Sequence, residues 1–227
     1  MCFSPQADLV GGLAISAIGV DVVRHVHQRR DHMALAALPL ILGAHQLDEA
    51  FVWWGQQGHV PSSVGRVALW IYLLIAFVLL PIFVPTAVRA LEPNKTRKLL
   101  MVPFIVIGIG VAAWLFAAMV RGPVTVTIHP YHLAYSIRLT HGFFVITLYV
   151  IACCGTLLVS SYRHVVFFGL INLVAVAVIA RLTVDGFASV WCGWAAVTSG
   201  VIALHMRFGR PHRAMPYVLT TGDRIRP

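Results

Sequence analysis

Three ionisable side chains, His45, Asp48 and Glu49, interrupt an otherwise apolar run at residues 33–54. Ionisable groups are costly inside a bilayer and usually face the interior of a helix bundle or water. Residues four apart share one face of a helix, so His45 and Glu49 would project together, as a metal pair or an acid–base pair requires. The alternative is a structural hydrogen bond, in which Glu49 accepts from Arg138 or from a loop histidine.

Further side chains that could bind a metal lie outside the apolar runs. Zinc accepts histidine and carboxylate ligands and keeps an open position in catalytic sites. The sequence offers six such ligands, with zinc or another divalent metal as the expected cofactor: His45, Glu49, His129, His132, His141 and Asp185. Their spacing matches no specific zinc signature, and solvated loop histidines are the alternative. Glu49 and His132 are the candidate catalytic residues.

The four cysteines fall into two groups. Cys153 and Cys154 lie in the middle of an apolar run, where a small buried hydrophobic residue is expected. Cys2 precedes the first run, and Cys192 lies about two turns into the last run from the same side. An oxidising compartment would permit a Cys2–Cys192 disulfide, and thiolate ligation of a metal beside Glu49 is the alternative. We expect Cys2, Glu49, His132 and Cys192 to converge at one outer pocket.

The elements that must position these residues are membrane helices. Only 11% of the 227 residues are charged and 59% are hydrophobic, whereas soluble domains carry about 25% charged residues. This composition excludes an ordinary soluble enzyme and a nucleic-acid-binding domain, and it makes the lipid bilayer the expected partner. A transmembrane helix needs about 20 apolar residues, and seven runs approach that length: about 7–23, 33–54, 67–88, 99–120, 142–160, 165–181 and 186–206.

The basic residues predict the orientation of this seven-helix bundle. Lysine and arginine concentrate on the cytoplasmic side of membrane proteins. Of the 17 basic residues, 13 lie in the odd-numbered loops and the C-terminal segment, and four lie on the opposite side: Arg66, Arg121, Arg138 and Arg181. The sequence therefore predicts an all-α integral membrane protein with its N-terminus outside and its C-terminus inside, ending in a basic cytoplasmic tail at 207–227.

The chain is expected to form one domain over 1–227, with a cap on its outer side. Residues 121–141 alternate apolar and polar side chains around a proline, as in Val124–Ile128, which predicts a short β-hairpin. The segment Met1–Asp8 has no basic residue and carries an acid, the reverse of a signal peptide, so the first run is expected to be a retained helix. Retinal is excluded because Lys95 and Lys98, the two lysines, both fall in an inner loop.

Several short motifs resemble a family of small bacterial multi-pass membrane proteins, known mainly as a domain of unknown function. The resemblance covers nearly the whole chain, through these segments: Met1-Cys2-Phe3-Ser4, Gln46 with Glu49-Ala50-Phe51-Val52-Trp53, Pro81 and Pro85, Glu92-Pro93 before Arg97-Lys98, His132-Leu133-Ala134-Tyr135, and Ser189-Val190-Trp191-Cys192. It marks Cys2, Glu49, Trp53, His132, Tyr135, Trp191 and Cys192. The sequence departs from the family at His45, where glutamine is expected, and at Ala50, where glycine is expected. The resemblance implies a helical protein of the bacterial cell membrane and no particular activity.

Two classes of function are consistent with these features. One is a metal-assisted hydrolase whose site opens to the outer leaflet, with a metal held by Glu49, His132 and a further histidine activating water. The other is a non-catalytic membrane module, either an accessory subunit or a small-solute carrier, in which the same residues form a hydrogen-bonded cluster. The sequence leaves open a homo-oligomer or a partner membrane subunit.

Overall fold

The computed structural model describes residues 4–26, 30–129, 132–182, 193–194 and 196–200, with the backbone alone at 30–31 and 180–182. Most of this chain is helical. The helices are α1 Pro5–Val26, α2 Arg30–Ala36, α3 Leu38–Gln56, α4 Ser62–Leu74, α5 Leu80–Leu91, α6 Lys95–Leu100, α7 Val102–Arg121, α8 Gly142–Val150, α9 Thr156–Val159 and α10 Arg163–Leu182. Two π-helical segments, Ile75–Leu79 and Ile151–Gly155, join α4 to α5 and α8 to α9.

Five helical segments are long and apolar enough to cross a membrane, and they coincide with the first five predicted runs. Their bounds are Pro5–Val26, His32–Gln56, Ser62–Leu91, Lys95–Arg121 and Gly142–Val159. The sixth run is also helical, but its apolar part, Arg163–Ile179, is shorter. The seventh run lies largely outside the described residues, as does the tail at 207–227. The seven-helix count and the orientation therefore remain predictions.

Small residues bring α1 and α3 into close contact. A side chain as small as alanine at Gly43 would lie 2.5 Å from Ser16 Oγ, and one at Gly12 would lie 2.9 Å from the Gly43 carbonyl oxygen. Further along, Gly19 approaches the backbone of Leu40 equally closely. Such contacts allow two helix backbones to approach in a membrane protein. The antiparallel packing that results places the start of α1 beside the second half of α3.

Helix α3 makes a second close contact with α4 near the loop that joins them. Gly55 and Gly65 face each other so closely that a Cβ on either would lie about 2.5 Å from the Cα of the other. The chain turns between the two helices at Gly58, whose φ of 75° lies in the left-handed region that glycine adopts without strain. Helices α1, α3 and α4 thus form a closely packed group of three.

The predicted hairpin is present and packs against α3 and α4. Strands β1 Val124–His129 and β2 His132–Ile137 pair antiparallel, with Val126 opposite Tyr135; residues 130–131 lie outside the described chain. One face of the hairpin packs against a buried cluster that includes Trp53, Tyr72 and Leu133. We call this end of the molecule the hairpin end.

A different polar network holds the opposite end together. The buried carboxylate of Glu92 accepts hydrogen bonds from the backbone and hydroxyl of Ser161 and from the backbone N–H of Asn94. Arg97 donates to the carbonyl oxygens of Val159 and Ser160, at 2.9 and 2.8 Å. The network fixes the α5–α6 connection against the α9–α10 turn and gives the Glu92 motif a structural role.

Candidate functional site

Glu49 lies at the centre of a polar cluster near the hairpin end. Its side chain is fully buried, which confirms that it faces the bundle interior rather than lipid. The Tyr135 hydroxyl donates to Glu49 Oε1 at 3.2 Å, and Gln46 Nε2 donates to Oε2 at 3.5 Å. Both donors are neutral, so these two bonds supply no positive charge to the carboxylate.

The structure thus shows a hairpin donor to Glu49, Tyr135, that differs from the His132 or Arg138 suggested by the sequence. The reason is the alternation of side chains along a strand. Tyr135 shares a face of β2 with Leu133, which is fully buried against the bundle. His132 belongs to the opposite face, and its ring stacks on His129, its cross-strand neighbour, with ring centroids 4.9 Å apart.

Three aromatic rings form a stack beside Glu49. The Tyr72 ring, from α4, lies between His45 and Tyr135, with centroid distances of 4.0 and 4.5 Å and interplanar angles of 18° and 15°. His45 and Tyr72 are both fully buried. The stack joins α3, α4 and the hairpin and so holds the Tyr135 hydroxyl in position. Neither ring nitrogen of His45 forms a hydrogen bond within the described part of the chain.

A second buried acid, Asp8, lies next to Glu49. Asp8 belongs to the buried stripe of α1 that also contains Gly12, so the close α1–α3 packing carries it against α3. Its side chain is fully buried beside the Trp53 indole, and its carboxyl group is close enough to Glu49 to feel the charge of that residue. Neither carboxylate oxygen of Asp8, nor the indole N–H of Trp53, forms a hydrogen bond with any described residue.

Asp48 is a third carboxyl group in the same region. It is half-buried, on a different face of α3 from Glu49, and close enough to feel its charge. Asp48 lines a groove between α3 and α4, and its Oδ2 atom is buried without a hydrogen-bond partner among the described residues. Three of the eight acidic residues of the chain therefore cluster at one end of the bundle.

Asp8 and Tyr72 were not singled out from the sequence. Asp8 served only as evidence against a signal peptide, although an acid one turn into an apolar run was itself a signal. Tyr72 had no such signal, because it is a single tyrosine whose partners lie on other elements. The resemblance had marked both Tyr135 and Trp53.

The structure does not support the predicted metal site among the residues that it describes. No group of three or more histidine, cysteine or acidic side chains there could hold a metal ion. His45 is stacked in the core, His129 and His132 pair at the far end of the hairpin, and His141 precedes α8 in a left-handed conformation. Asp185, the remaining member of the predicted set, lies outside the described residues.

The cysteine predictions have two different outcomes. Cys153 and Cys154 are buried and free, as expected for small hydrophobic residues within a helix. Cys2 and Cys192 lie outside the described residues, so their disulfide remains a prediction. The same holds for the convergence of Cys2, Glu49, His132 and Cys192.

Comparison with known proteins places the chain in a family. Neither the curated proteins nor the solved structures contain a match to it. A family model described as a family of unknown function, DUF6629, matches residues 1–216. This match covers nearly the whole chain and agrees with the resemblance that its motifs indicated. The chain therefore belongs to the DUF6629 family.

Proposed function

We propose that this protein is a small-solute carrier of the bacterial plasma membrane that binds a cationic solute between Asp8 and Glu49. In the proposed arrangement seven helices cross the membrane, the N-terminus is outside, and the site lies in the outer half of the bundle. The observation that carries the proposal is the pair of fully buried carboxyl groups, one from α1 and one from α3, with Asp8 lacking a donor among the described residues.

The electrostatics of the pair favour a bound positive charge. An ionised group buried away from water is very costly unless a partner neutralises it or it takes up a proton. The charge of Glu49 acts on Asp8, so burying both groups in their ionised forms is more costly than burying either one alone. A cation between them would remove the repulsion and satisfy the acceptor oxygens of Asp8.

The surroundings favour an organic cation over a metal ion. A protein-bound metal usually takes three or more protein ligands, and the described residues offer no such group. Aromatic side chains attract ammonium-type and guanidinium-type cations, and the Trp53 indole lies beside Asp8. Its carboxylates would accept the N–H donors of such a cation.

Metal-assisted hydrolysis, the first function suggested by the sequence, has no comparable support in the described residues. It would regain support if the purified protein retained stoichiometric zinc and lost it on Glu49→Gln substitution. An accessory subunit would not need a second buried acid near Glu49. A purely structural role for Glu49 accounts for its hydrogen bond to Tyr135 but does not explain the burial of Asp8.

Uptake of a permanently charged solute tests the proposal. Guanidinium remains charged at neutral pH, so it does not cross lipid as a neutral base. Proteoliposomes containing the full chain should take up radiolabelled guanidinium saturably, and Asp8→Asn should reduce the uptake at least tenfold. Asp21→Asn, which removes the same charge from the far part of α1, is the matched control and should retain uptake. Uptake that is absent, or equal in both variants, would contradict the proposal.

Orientation is tested separately, because it could fail while cation binding holds. Epitope tags at the two termini should differ in their accessibility in intact cells, with the N-terminal tag exposed outside and the C-terminal tag protected. Equal accessibility of both tags would rule out the proposed topology. An N-terminally extended protein that still takes up guanidinium would also show that a free α-amino group is not the cation that balances Asp8.

A further inference from the structure

A groove runs between α3 and α4 on the outside of the bundle. It has a volume of about 340 Å³ and is lined by Asp48, Phe51, Ser63, Val64, Val67, Ala68 and Ile71. This volume is within the range of small-molecule sites. At the loop end, the contact between Gly55 and Gly65 holds the two helices together, and the lining residues extend from there towards the middle of the helices.

The groove is apolar apart from Asp48 and Ser63. Several of its lining side chains are well exposed on the surface of the bundle: Phe51 is 41%, Val67 59% and Ile71 43% exposed. A surface of this kind would contact lipid chains directly. The groove therefore opens sideways into the hydrocarbon region rather than towards water.

Asp48 gives this apolar groove a carboxyl group at depth. It lies eight residues before the end of α3 at Gln56, which corresponds to roughly 12 Å along the helix. Its Oδ2 atom is buried without a hydrogen-bond partner among the described residues. A carboxylate within an apolar wall at this depth is costly unless it receives a cation.

We infer that the α3–α4 groove binds an alkylamine, with its ammonium group on Asp48 and its hydrocarbon chain along Phe51, Val67 and Ile71. The inference rests on the proposed function, because it identifies the cationic solute as an amphiphile that approaches sideways from the membrane. Asp48 lies next to Glu49 along α3 and interacts with its charge. The groove thus holds the amine on the carboxylate adjacent to the Asp8–Glu49 site.

The lining distinguishes an alkylamine from a phospholipid headgroup. A phospholipid would bring a phosphate close to Asp48, and none of the described lining residues is basic. A simple ammonium group on a hydrocarbon chain matches both the single carboxyl group and the apolar wall.

Binding of hexylamine to the full chain in nanodiscs tests the inference. Radiolabelled hexylamine, protonated at neutral pH, is measured against empty nanodiscs to subtract partitioning into lipid. Asp48→Asn removes the charge, and Val67→Trp fills the groove. Val106→Trp is the matched control, because Val106 is 62% exposed on α7, away from the groove. 1-Hexanol, which has a similar chain and no charge, serves as competitor.

We expect Asp48→Asn and Val67→Trp each to weaken hexylamine binding at least tenfold, while Val106→Trp leaves it unchanged and 1-hexanol competes poorly. If the first two variants bound hexylamine as tightly as the unaltered protein, binding in the groove would be overturned, even if guanidinium uptake still depended on Asp8. Conversely, Asp48-dependent binding without Asp8-dependent uptake would confirm the groove site and overturn its role in delivering a transported solute.

Discussion

Tyr135→Phe tests whether the hairpin is fixed to the bundle through Glu49. The substitution removes the hydroxyl that donates to Glu49 Oε1 at 3.2 Å and leaves the ring that stacks on Tyr72 at 4.5 Å. A hydrogen bond contributes a net 0.5–1.5 kcal/mol, or about 1.5–3 kcal/mol when one partner is charged. Because this bond is longer than the usual 2.7–2.8 Å, we expect a loss of about 1 kcal/mol.

The loss should appear first as opening of the hairpin. Hydrogen–deuterium exchange of the β1 and β2 amides, measured on the full chain in nanodiscs, reports local opening independently of global unfolding. A loss of about 1 kcal/mol corresponds to roughly fivefold faster exchange in the hairpin. Exchange within α7 should not change and provides the internal control.

A double-mutant cycle assigns the effect to the bond itself. In a Glu49→Leu background the acceptor is missing, so adding Tyr135→Phe should cause no further increase in hairpin exchange. The coupling energy between the two positions should then equal the roughly 1 kcal/mol lost in the single variant. Additive effects of the two substitutions would refute the conclusion that this bond fixes the hairpin.

Three further predictions concern the two ends of the bundle. Asp8→Asn should raise the thermal stability of the cation-free protein, because relieving a buried unpartnered carboxylate contributes about 1–3 kcal/mol. Scanning fluorimetry should show this as a rise in melting temperature of roughly 2–4 °C per kcal/mol. A lower melting temperature would contradict this prediction. Gly43→Ala should lower the free energy of unfolding by about 1–3 kcal/mol, because the new methyl group overpacks the α1–α3 contact. Gly110→Ala should instead raise it by about 0.5–1 kcal/mol, since nothing lies within 4 Å of the new methyl group. A change of the same sign at both positions would refute the close α1–α3 packing. Glu92→Ala should destabilise more than Ser161→Ala in SDS-induced unfolding, because it removes the acceptor of several hydrogen bonds; an equal loss would contradict the shared network.

Composition and hydrophobic run length were sufficient to predict the first five helices. These signals are local, because a membrane helix satisfies its backbone within its own segment and needs only an apolar surface. The hairpin could also be predicted, from the alternation of apolar and polar residues along its strands. The burial of Glu49 also followed from the sequence alone, since an acid within an apolar run must avoid lipid.

The partners of Glu49 could not be predicted in the same way. Predicting that Tyr135 rather than His132 contacts Glu49 requires knowing which face of β2 packs against the bundle. A shift of one residue in the strand register would exchange the faces of the two side chains. Asp8 reaches Glu49 only because Gly12 and Gly43 permit close approach of two helices, which is a tertiary property. Tyr72 enters the site through stacking between three separate elements, and no spacing in the sequence encodes that contact.

Equilibrium binding of methylammonium to the full chain in nanodiscs tests the central claim most directly. The account predicts saturable binding of one methylammonium per chain, lost in both Asp8→Asn and Glu49→Gln and retained in Asp21→Asn. Methylammonium carries the charge and the N–H donors that Asp8 lacks among the described residues. Binding that is absent from the unaltered protein, or that survives in Asp8→Asn, would contradict a cation site between these two carboxyl groups.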